Sequence, residues 1–244
     1  TGRAIRKGFV PASGNVLLAL DYSQIELRIL AHYAKDEALL DAFKNDKDIH
    51  AMTASSLFGV KQNDVSPDQR SQAKTVNFSI VYGVTDYGLS RNLGIARKEA
   101  QELIDLFFQT YPGVRKYMDD TIAFAEKHGY VETMSGRRRQ IPEINASNRF
   151  RKEGARRTAI NTPIQGTSAD IIKIAMISLQ EKLDKKKFRS QMILQVHDEL
   201  LFDTVPEEKE ELIQMARSEM ESAIKLDVPL RVDAGEGKNW DEAH

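Results

Sequence analysis

The stretch that most constrains the fold is QMILQVHDELLFD, residues 191–203, because it sets three polar residues between two apolar runs. The runs MILQV and ELLF are typical of β-strands, and the polar residues between them predict a tight turn. Burying an unpaired carboxylate is costly, so acids at such a turn are solvated, paired with cations or bound to a metal. The adjacent acids Asp198 and Glu199 therefore need an explanation.

Composition narrows the classes of protein to which the chain can belong. Its 244 residues are enough for one large or two small domains, and 41% hydrophobic with 29% charged residues is ordinary for a soluble globular protein. The absence of cysteine excludes a disulfide framework and thiolate zinc sites, and fits a reducing cytoplasm. No apolar run reaches membrane-spanning length, and a start at Thr1 without Met is typical of an excised fragment.

Predicted strands are few and lie near the two ends of the chain, whereas predicted helices fill the middle. We expect strands at 16–20, on both sides of the 197–199 turn and at 230–234, with a short hairpin within residues 129–144. Helices are predicted over 25–43, 67–82, 96–110, 114–128, 146–160, 170–183 and 206–224, with a break at Pro163. Residues 46–69 are predicted to be a polar connection. This order predicts an α+β fold: a small antiparallel sheet built from both chain ends, with an inserted helical subdomain.

Asp21 follows the apolar run VLLAL, and Asp198 lies at the hairpin turn, so each acid is placed where a strand meets a turn. Neighbouring strands of one sheet would bring the two carboxylates together, and close carboxylates repel unless a cation lies between them. Oxygen ligands without a His or Cys set suit Mg²⁺ or Mn²⁺, and two such ions support in-line displacement at phosphorus. Taken alone, a strand-terminal Asp is more often a turn former.

Arg70, Lys74, Phe78 and Tyr82 recur every fourth residue, which places them along one stripe of a helix. The two cations would meet the phosphates of a nucleoside triphosphate near the positive end of the helix dipole, and the aromatic rings would face the base or sugar. On spacing alone, an amphipathic helix with buried aromatics and solvated cations is slightly favoured over this interpretation.

Residues 137–157 contain eight Lys or Arg and two Glu, whereas the whole chain has a net charge of −1. Such a basic segment attracts polyanions, which favours a nucleic-acid partner. The alternative is a solvated loop and helix face.

Three motifs in this order resemble motifs A, B and C of family A DNA polymerases: DYSQIELR, R-x₃-K-x₃-F-x₃-YG and QVHDE. The resemblance covers essentially the whole chain, including SGRRR and NTPIQGTSADIIK. It implies a palm with a small antiparallel sheet and packed helices, formed by residues 1–45 and 158–244. A mostly helical fingers subdomain, residues 46–157, would be inserted between them. The thumb and exonuclease domains of the family are expected to be absent.

The resemblance also implies roles for individual residues. Asp21 and Asp198 would hold two Mg²⁺ ions, for which Mn²⁺ could substitute, with the backbone carbonyl of Tyr22 as a further ligand. Glu199 would assist catalysis, and Lys74 would protonate the pyrophosphate leaving group. Nucleotide-binding positions are Gln24, Glu26, His50, Arg70, Lys74, Phe78 and Tyr82. DNA-binding positions are Arg28, Arg137, Arg157, Asn161, Gln165, Gln195 and His197.

Glu26 matches the family's steric gate, which leaves no room for a ribose 2′-hydroxyl, and Phe78 resembles members that discriminate against dideoxynucleotides. His197 would approach the primer terminus; a turn histidine bonded to backbone is the alternative. The minor-groove edge is degenerate between A·T and T·A, which suits contacts that must accept every sequence.

The implied activity is template-directed DNA synthesis from dNTPs on a primed DNA template, in replication and repair, in the bacterial cytoplasm or nucleoid. We expect no membrane partner, and a monomer in which the missing thumb favours weak, distributive synthesis and self-association. Three alternatives remain. A single-subunit RNA polymerase is disfavoured by Glu26, a silent DNA-binding fragment by the presence of both aspartates, and a two-metal phosphodiesterase by the nucleotide helix.

Overall fold

The computed structural model describes residues 2–244, with side chains from residue 4 onward, and it has the predicted α+β fold. Eleven α-helices occur in this part of the chain. They are α1 (Gly2–Arg6), α2 (Ile25–Ala34), α3 (Glu37–Lys44), α4 (Ile49–Phe58), α5 (Pro67–Val81), α6 (Asp86–Leu93), α7 (Arg97–Thr110), α8 (Pro112–His128), α9 (Arg149–Lys186), α10 (Lys209–Ser222) and α11 (Trp240–Ala243).

The strands are β1 (Val16–Tyr22), β2 (Tyr130–Glu132), β3 (Arg138–Gln140), β4 (Gln191–Val196), β5 (Glu199–Thr204) and β6 (Val232–Gly237). Strands β2 and β3 form a separate two-stranded hairpin, as predicted. None of the described helices combines the length and the apolar character that crossing a membrane would require.

The main sheet joins the two chain ends, which confirms the prediction. Its order is β4-β5-β1-β6, and every neighbouring pair is antiparallel. Strand β1 lies in the interior, and its apolar residues Leu17, Leu18 and Leu20 are at most 1% exposed. A strand whose side chains are buried on both faces reads as a continuous apolar run, which explains VLLAL.

The chain divides into two compact units. The first contains residues up to Ile25 together with Ser168–His244, and therefore the main sheet. Helix α11 packs on this sheet, where Trp240 and Ala243 join the buried cluster of Leu17, Ala19 and Leu201. Gly235 of β6 permits this approach, because a Cβ there would lie 2.3 Å from the Ala243 carbonyl oxygen.

The second unit, Glu26–Thr167, is mainly helical. Helix α5 begins at a capping box, in which Ser66 and Gln69 exchange side-chain and backbone hydrogen bonds, with Pro67 at the first position. The capping box and Pro67 at the start of α5 were both readable in the sequence, so this helix is confirmed close to its predicted bounds.

Elsewhere in this unit a buried cluster joins α8, β2 and the start of α9. Its members are Ala125, Val131, Ile141, Ile144, Ala155 and Ala159.

The single helix predicted over 25–43 is wrong, because the chain forms two helices there. Lys35 adopts a left-handed φ of 48°, and Asp36 caps α3 by accepting hydrogen bonds from the backbone N–H groups of Ala38 and Leu39. The second carboxylate oxygen of Asp36 accepts a further bond from the Gly113 N–H at 2.9 Å. An N-cap Asp satisfies the free amides of a helix start, so the break is stabilised locally.

The break predicted at Pro163 is also wrong, since α9 continues through it over 38 residues. Proline removes one helical donor and crowds the preceding turn. Two hydroxyls lie beside the disturbed backbone: Thr162 donates to the Thr158 carbonyl at 2.7 Å, and the buried Tyr117 donates to the Ile160 carbonyl at 3.2 Å. These two carbonyls flank that of Ala159, which loses its helical N–H donor at Pro163.

The polar connection predicted over 46–69 contains helix α4, and α6 was also missed. Helix α4 begins at the N-cap Asp48 and ends at Gly59, which has a left-handed φ of 64°. Helix α6 begins at Thr85 and ends at Gly94, with a φ of 68°. Both stop signals are visible in the sequence, but the helices are short and their apolar pattern is weak.

Burial of β1 makes a direct prediction for stability. Replacing Leu18, 1% exposed, with Ala should lower the free energy of unfolding by about 2–5 kcal/mol, because the vacated volume is enclosed by packed neighbours. Ile177→Ala is the matched control in the same unit, since Ile177 is 63% exposed and its truncation should change stability by less than about 0.5 kcal/mol. Urea denaturation followed by circular dichroism measures both. Equal losses would contradict the assignment of β1 to the core.

Candidate active site: an acidic strand end and a cationic helix

In the first unit, acidic residues collect around the end of β1. Asp21 pairs across the sheet with Glu199 of β5 on one side and with Asp233 of β6 on the other. The backbone N–H of Tyr22 donates to the carbonyl oxygen of Asp198 at 3.2 Å, which fixes the hairpin turn beside Asp21. The two predicted aspartates are thus brought together, and Asp233 joins them.

The turn that carries Asp198 consists of two residues between β4 and β5. His197 adopts a left-handed φ of 54°, a conformation uncommon for a residue with a side chain. Its carbonyl oxygen accepts a hydrogen bond from the side-chain amide of Gln195 at 2.7 Å. Both His197 and Gln195 have exposed side chains, so they remain accessible on the surface of this unit.

The carboxylates of this cluster raise one another's pKa. Partial burial, followed by the charges of Asp198 and Glu199, raises the pKa of Asp21 to about 6. Burial, together with the charge of Glu199, also raises the pKa of Asp198. Charge repulsion of this kind is relieved by a bound cation. The cluster is therefore electrostatically suited to a cation, and unfavourable without one.

The oxygen donors at this strand end suit Mg²⁺, which takes few protein ligands, better than a metal held entirely by protein side chains. Within residues 2–244, no group of three or more acidic, His or Cys side chains converges closely enough to hold a metal alone. Mg²⁺ characteristically uses one or two carboxylates and completes its shell with water and substrate phosphates. Asp21 and Asp198 fit that pattern. Tyr22, whose backbone carbonyl is the third predicted ligand, is anchored by its hydroxyl, which donates to the Met220 carbonyl at 2.7 Å.

Glu199 belongs to the same cluster, but its carboxylate is engaged elsewhere. The side chain is 4% exposed; Trp240 Nε1–H donates to Oε1 at 2.5 Å, and His244 Nδ1 lies 3.0 Å from Oε2. Two partners thus hold both oxygens of a buried acid. Sequence reasoning missed Trp240, His244 and Asp233. Trp240 is the only tryptophan of the chain and could have been noticed in the sequence, but its contact with Glu199 could not.

In the second unit, α5 carries the predicted stripe. Arg70 and Lys74 are exposed and Phe78 is half-buried, whereas Ala73, Val76 and Ile80 on the opposite side are at most 2% exposed. Tyr82, the C-cap residue, is also half-buried. The aromatics are therefore not core residues, and the stripe lies on the surface of this unit.

The two cations of the stripe have different surroundings. Arg70 donates from Nε to the Asp48 carboxylate at 2.6 Å. Lys74 has no acidic partner within ion-pair distance in the described part of the chain. Lys74 therefore presents an uncompensated positive charge, whereas Arg70 is partly neutralised.

His50 lies beside the stripe and is 3% exposed. Burial, with the positive charge of Arg70, lowers its pKa to about 4, so the ring is neutral at pH 7. The amide nitrogen of Asn77 lies 3.0 Å from Nδ1. With that amide donating, the ring proton resides on Nε2, and His50 is a hydrogen-bond donor without charge. Asn77, on the same helix as the stripe, was not predicted from the sequence.

Glu26 and Tyr82 form a hydrogen bond in which the tyrosine hydroxyl donates to Oε2 of the carboxylate. Both side chains are partly buried. The bond ties Glu26, in the first turn of α2, to the residue that ends α5. The two positions assigned to the sugar end of the nucleotide are therefore in direct contact.

The remaining nucleotide and DNA positions differ in accessibility. Arg28 is 5% exposed, and its guanidinium lies over the Phe43 ring at 4.7 Å, so it presents little surface for DNA. Gln24, in the first unit, has a left-handed φ of 54° and a buried side-chain oxygen without a hydrogen-bond partner. A buried orphan acceptor is unfavourable, and a ligand donor would satisfy it.

Around the middle of α9, Arg157 and Gln165 are exposed. Asn161 donates to the carbonyl of Tyr82 at 3.4 Å, and its own side-chain oxygen is buried without a partner. Arg137 donates to the Gly166 carbonyl at 3.0 Å. Arg137, Asn161 and Gln165 therefore belong to the same unit as the stripe.

The basic segment 137–157 is less positive than its sequence indicates. At least four of its eight cations pair with acids: Arg138 with Glu132, Arg151 with Glu143, and Lys152 and Arg156 with Glu126. Most of these pairs are solvent-exposed and therefore weak. Arg157 of the same segment is exposed and accessible to a polyanion.

Comparison with known proteins identifies the family. The profile of DNA polymerase family A matches residues 1–242. The chain belongs to DNA polymerase family A. It is 53% identical over 243 residues to DNA polymerase I of Lactococcus lactis subsp. lactis (strain IL1403), and 51% identical over 243 residues to that of Bacillus subtilis (strain 168). Each alignment covers 99% of this chain and 28% of the relative, so the chain spans little more than a quarter of the curated relatives.

A solved structure supports the same membership. The POL domain of Pol1 from M. smegmatis, in complex with DNA primer-template and dNTP, matches with a TM-score of 0.95 and 44% sequence identity. The match covers 99% of this chain and 43% of that one. The predicted family and the α+β fold class are both confirmed.

The raised pKa of Asp21 predicts that the acidic cluster destabilises the metal-free protein above pH 6. In the unfolded chain Asp21 ionises near its ordinary value of 3.8, whereas in the folded chain it ionises near 6. The penalty is therefore full above pH 6 and vanishes below about pH 4. Asp21→Asn should stabilise the metal-free protein by about 1–2 kcal/mol at pH 8, after allowance for solvent screening, and by little at pH 4.

Thermal unfolding at both pH values, with EDTA or with Mg²⁺, measures this effect. Mg²⁺ should raise the melting temperature of the parent chain at pH 8 and leave that of Asp21→Asn unchanged. A variant that is less stable than the parent at pH 8 in EDTA would contradict the electrostatic account.

Proposed function

We propose that this chain carries the nucleotidyl-transfer machinery of a DNA-directed DNA polymerase. The reaction adds a deoxynucleotide from a dNTP to the 3′-hydroxyl of a primer, as the template directs, and releases pyrophosphate. The observation that carries the proposal is the acidic end of β1, where Asp21 lies beside Asp198, Glu199 and Asp233 with its pKa raised to about 6. The solved relative bound to primer-template and dNTP supports the choice of substrates.

Asp21, Asp198 and the Tyr22 carbonyl would hold two Mg²⁺ ions, for which Mn²⁺ could substitute. Bound there, the cations supply activation of the primer hydroxyl and neutralise charge on the leaving group. The contribution of the chain is to place two ionised oxygens on a rigid strand end and a short turn. Because both carboxylates repel each other, they bind a cation more strongly than isolated acids would.

The triphosphate would lie along α5. Arg70 and Lys74 supply positive charge near the N-terminal end of the helix, and His50 supplies a neutral donor beside them. Lys74 would also deliver a proton to the pyrophosphate as it leaves, since charge accumulates there in the transition state. Phe78 and Tyr82 offer ring faces to the base and sugar.

Primed DNA would contact the chain through Arg137, Arg157, Asn161, Gln165, Gln195 and His197, with Arg28 and Gln24 close to the nucleotide or the duplex. Contacts to the minor-groove edge leave the sequence free, because that edge distinguishes A·T from T·A poorly. We assign residues 1–45 and 158–244 to a palm and residues 46–157 to fingers, in a monomer without membrane contacts. Residues 1–244 alone should act weakly and distributively, since few phosphate contacts hold the duplex.

Primer extension tests the proposal. A short primed template is incubated with Mg²⁺ at low salt, and one matched dNTP is supplied at a time. Templated addition of that nucleotide alone is the expected result. If the parent chain binds primed DNA and dNTP but adds no nucleotide in Mg²⁺ or Mn²⁺, the polymerase assignment of this chain is wrong.

Asp198→Asn should abolish that synthesis, because it removes one of the two ionised metal ligands, while the fold and most DNA binding persist. Loss of at least about 10³-fold in rate is expected, in line with the several kcal/mol that metal ions supply. Asp203→Asn, at the other end of the same hairpin, is the charge-matched control. Unchanged turnover in Asp198→Asn would remove Asp198 from the metal site.

Glu26→Ala should raise ribonucleotide incorporation relative to deoxynucleotide incorporation by about 100-fold, because the carboxylate no longer excludes the 2′-hydroxyl. Tyr82→Phe keeps the ring but removes the hydrogen bond that fixes Glu26, so it should relax the selectivity partially. Single-nucleotide kinetics with matched rNTP and dNTP measure the ratio. An unchanged ratio in Glu26→Ala would eliminate the gate role. Preference for rNTP in the parent chain would instead favour a single-subunit RNA polymerase.

A further inference from the structure

We propose that Asp48 is a positioning residue for the incoming nucleoside triphosphate: it holds the Arg70 guanidinium by Nε and caps the helix that carries His50. This inference rests on the proposed function, in which Arg70 and His50 meet the phosphates. No sequence motif pointed to Asp48, which lies in a segment predicted to be a polar connection. Its role comes from the contacts that its two carboxylate oxygens make.

The two oxygens of Asp48 have separate partners. Oδ1 accepts the backbone N–H of Ala51 at 3.0 Å, which makes Asp48 the N-cap of α4. Oδ2 accepts Arg70 Nε–H at 2.6 Å. Partial burial opposes ionisation, but the bonds from Arg70 and Ala51 outweigh it and lower the pKa of Asp48. The carboxylate is therefore charged at neutral pH and bonded on both sides.

The contact through Nε leaves both Nη groups of Arg70 available for a ligand. A guanidinium has five N–H donors, and the four on the two Nη atoms form the fork that binds phosphate in a bidentate manner. Arginine is long and about half of this side chain is exposed, so without a partner it would sample many rotamers. Asp48 removes that freedom in advance without occupying the fork.

The same carboxylate links two phosphate-binding groups. His50 follows Asp48 by two residues in the first turn of α4, and its ring is held by Asn77 of α5. Arg70, on α5, is held by Asp48 at the start of α4. Two bonds, each donated by a residue of α5, thus join α4 and α5 beside the stripe. They fix one charged and one neutral donor relative to each other.

An opposite effect is also physically possible, since an acid near a triphosphate repels it. Asp48 would then compete with the phosphates for Arg70, and its neutralisation would tighten dNTP binding. The geometry favours positioning, because the bond uses Nε and leaves both Nη atoms, whereas a competitor would occupy the fork. Neutralising Asp48 would raise the Kd for the dNTP if Asp48 positions Arg70, and would lower it if Asp48 competes with the phosphates.

Asp48→Asn is the decisive variant. Asparagine is as good an N-cap as aspartate, so α4 keeps its cap. With its one oxygen on the Ala51 N–H, however, asparagine turns an uncharged NH₂ group toward Arg70, and that group cannot accept Nε–H. We expect the Kd and KM for the matched dNTP to rise by about 10-fold, with kcat changed by less than about 2-fold. The melting temperature should be unchanged. Asp64→Asn, an exposed acid in the same unit, is the charge-matched control and should leave both constants as they are.

A double-mutant cycle shows whether Asp48 acts through Arg70. In an Arg70→Ala background, Asp48→Asn should weaken dNTP binding no further, since the positioned group is gone. Losses that add would overturn the proposal, because Asp48 would then act by another route. Tighter dNTP binding or an unchanged Kd in Asp48→Asn would overturn it as well.

Equilibrium binding separates this inference from the proposed function. The Kd for a dNTP is measured by calorimetry on each variant, with primed DNA present and without turnover. If the parent chain binds dNTP but does not extend primers, the proposed activity fails while the effect of Asp48→Asn on Kd still decides the role of Asp48. If the parent chain does not bind dNTP at all, the positioning role is overturned too.

Discussion

The antiparallel pairing of β1 with β5 is the constraint on which the candidate site depends. Its register sets Asp21 opposite Glu199, and the Tyr22 N–H holds the carbonyl of Asp198 at the turn that follows β4. Because side chains alternate across a strand, a shift of one residue would turn Asp21 to the opposite face. Such a shift would be costly, because it would carry the Asp21 carboxylate into the buried position of Leu20 or of Tyr22, both at most 1% exposed. The hydrophobic core therefore fixes where the acids lie, although it takes no part in chemistry.

That placement opposes stability in the absence of a cation. Repulsion and burial raise the pKa of Asp21 and of Asp198, so ionised acids at this strand end weaken the fold. Glu199 shows how one of these charges is accommodated: Trp240 donates a buried hydrogen bond to it, and His244 lies beside its other oxygen. Helix α11 thus engages Glu199, and the carboxylates of Asp21 and Asp198 stay available to a ligand. Sites that bind a cation commonly carry unfavourable local charge of this kind, which the surrounding core must offset.

Several parts of this arrangement were predictable because they depend on short-range patterns. VLLAL, the HDE turn and the Ser66–Pro67 start of α5 each predict their element from local chemistry, and the spacing of Arg70 and Lys74 predicts their shared face. Local patterns failed where a distant partner decides the outcome. Pro163 stays within α9 beside the hydroxyl of Tyr117, and the break after Lys35 is tied by Asp36 to Gly113. Likewise, Trp240 and Asp48 gain their roles from residues far along the chain, which a single sequence does not connect.

The candidate sites of the two units present opposite charge. The first gathers carboxylates at a strand end; the second gathers donors on a helix, where Lys74 has no acidic partner among the described residues. A neutral His50 adds a donor without adding repulsion between cations, because burial and Arg70 lower its pKa to about 4. Under the proposed function, divalent cations would satisfy the acids of the first unit, and the phosphates of a nucleoside triphosphate would satisfy the donors of the second.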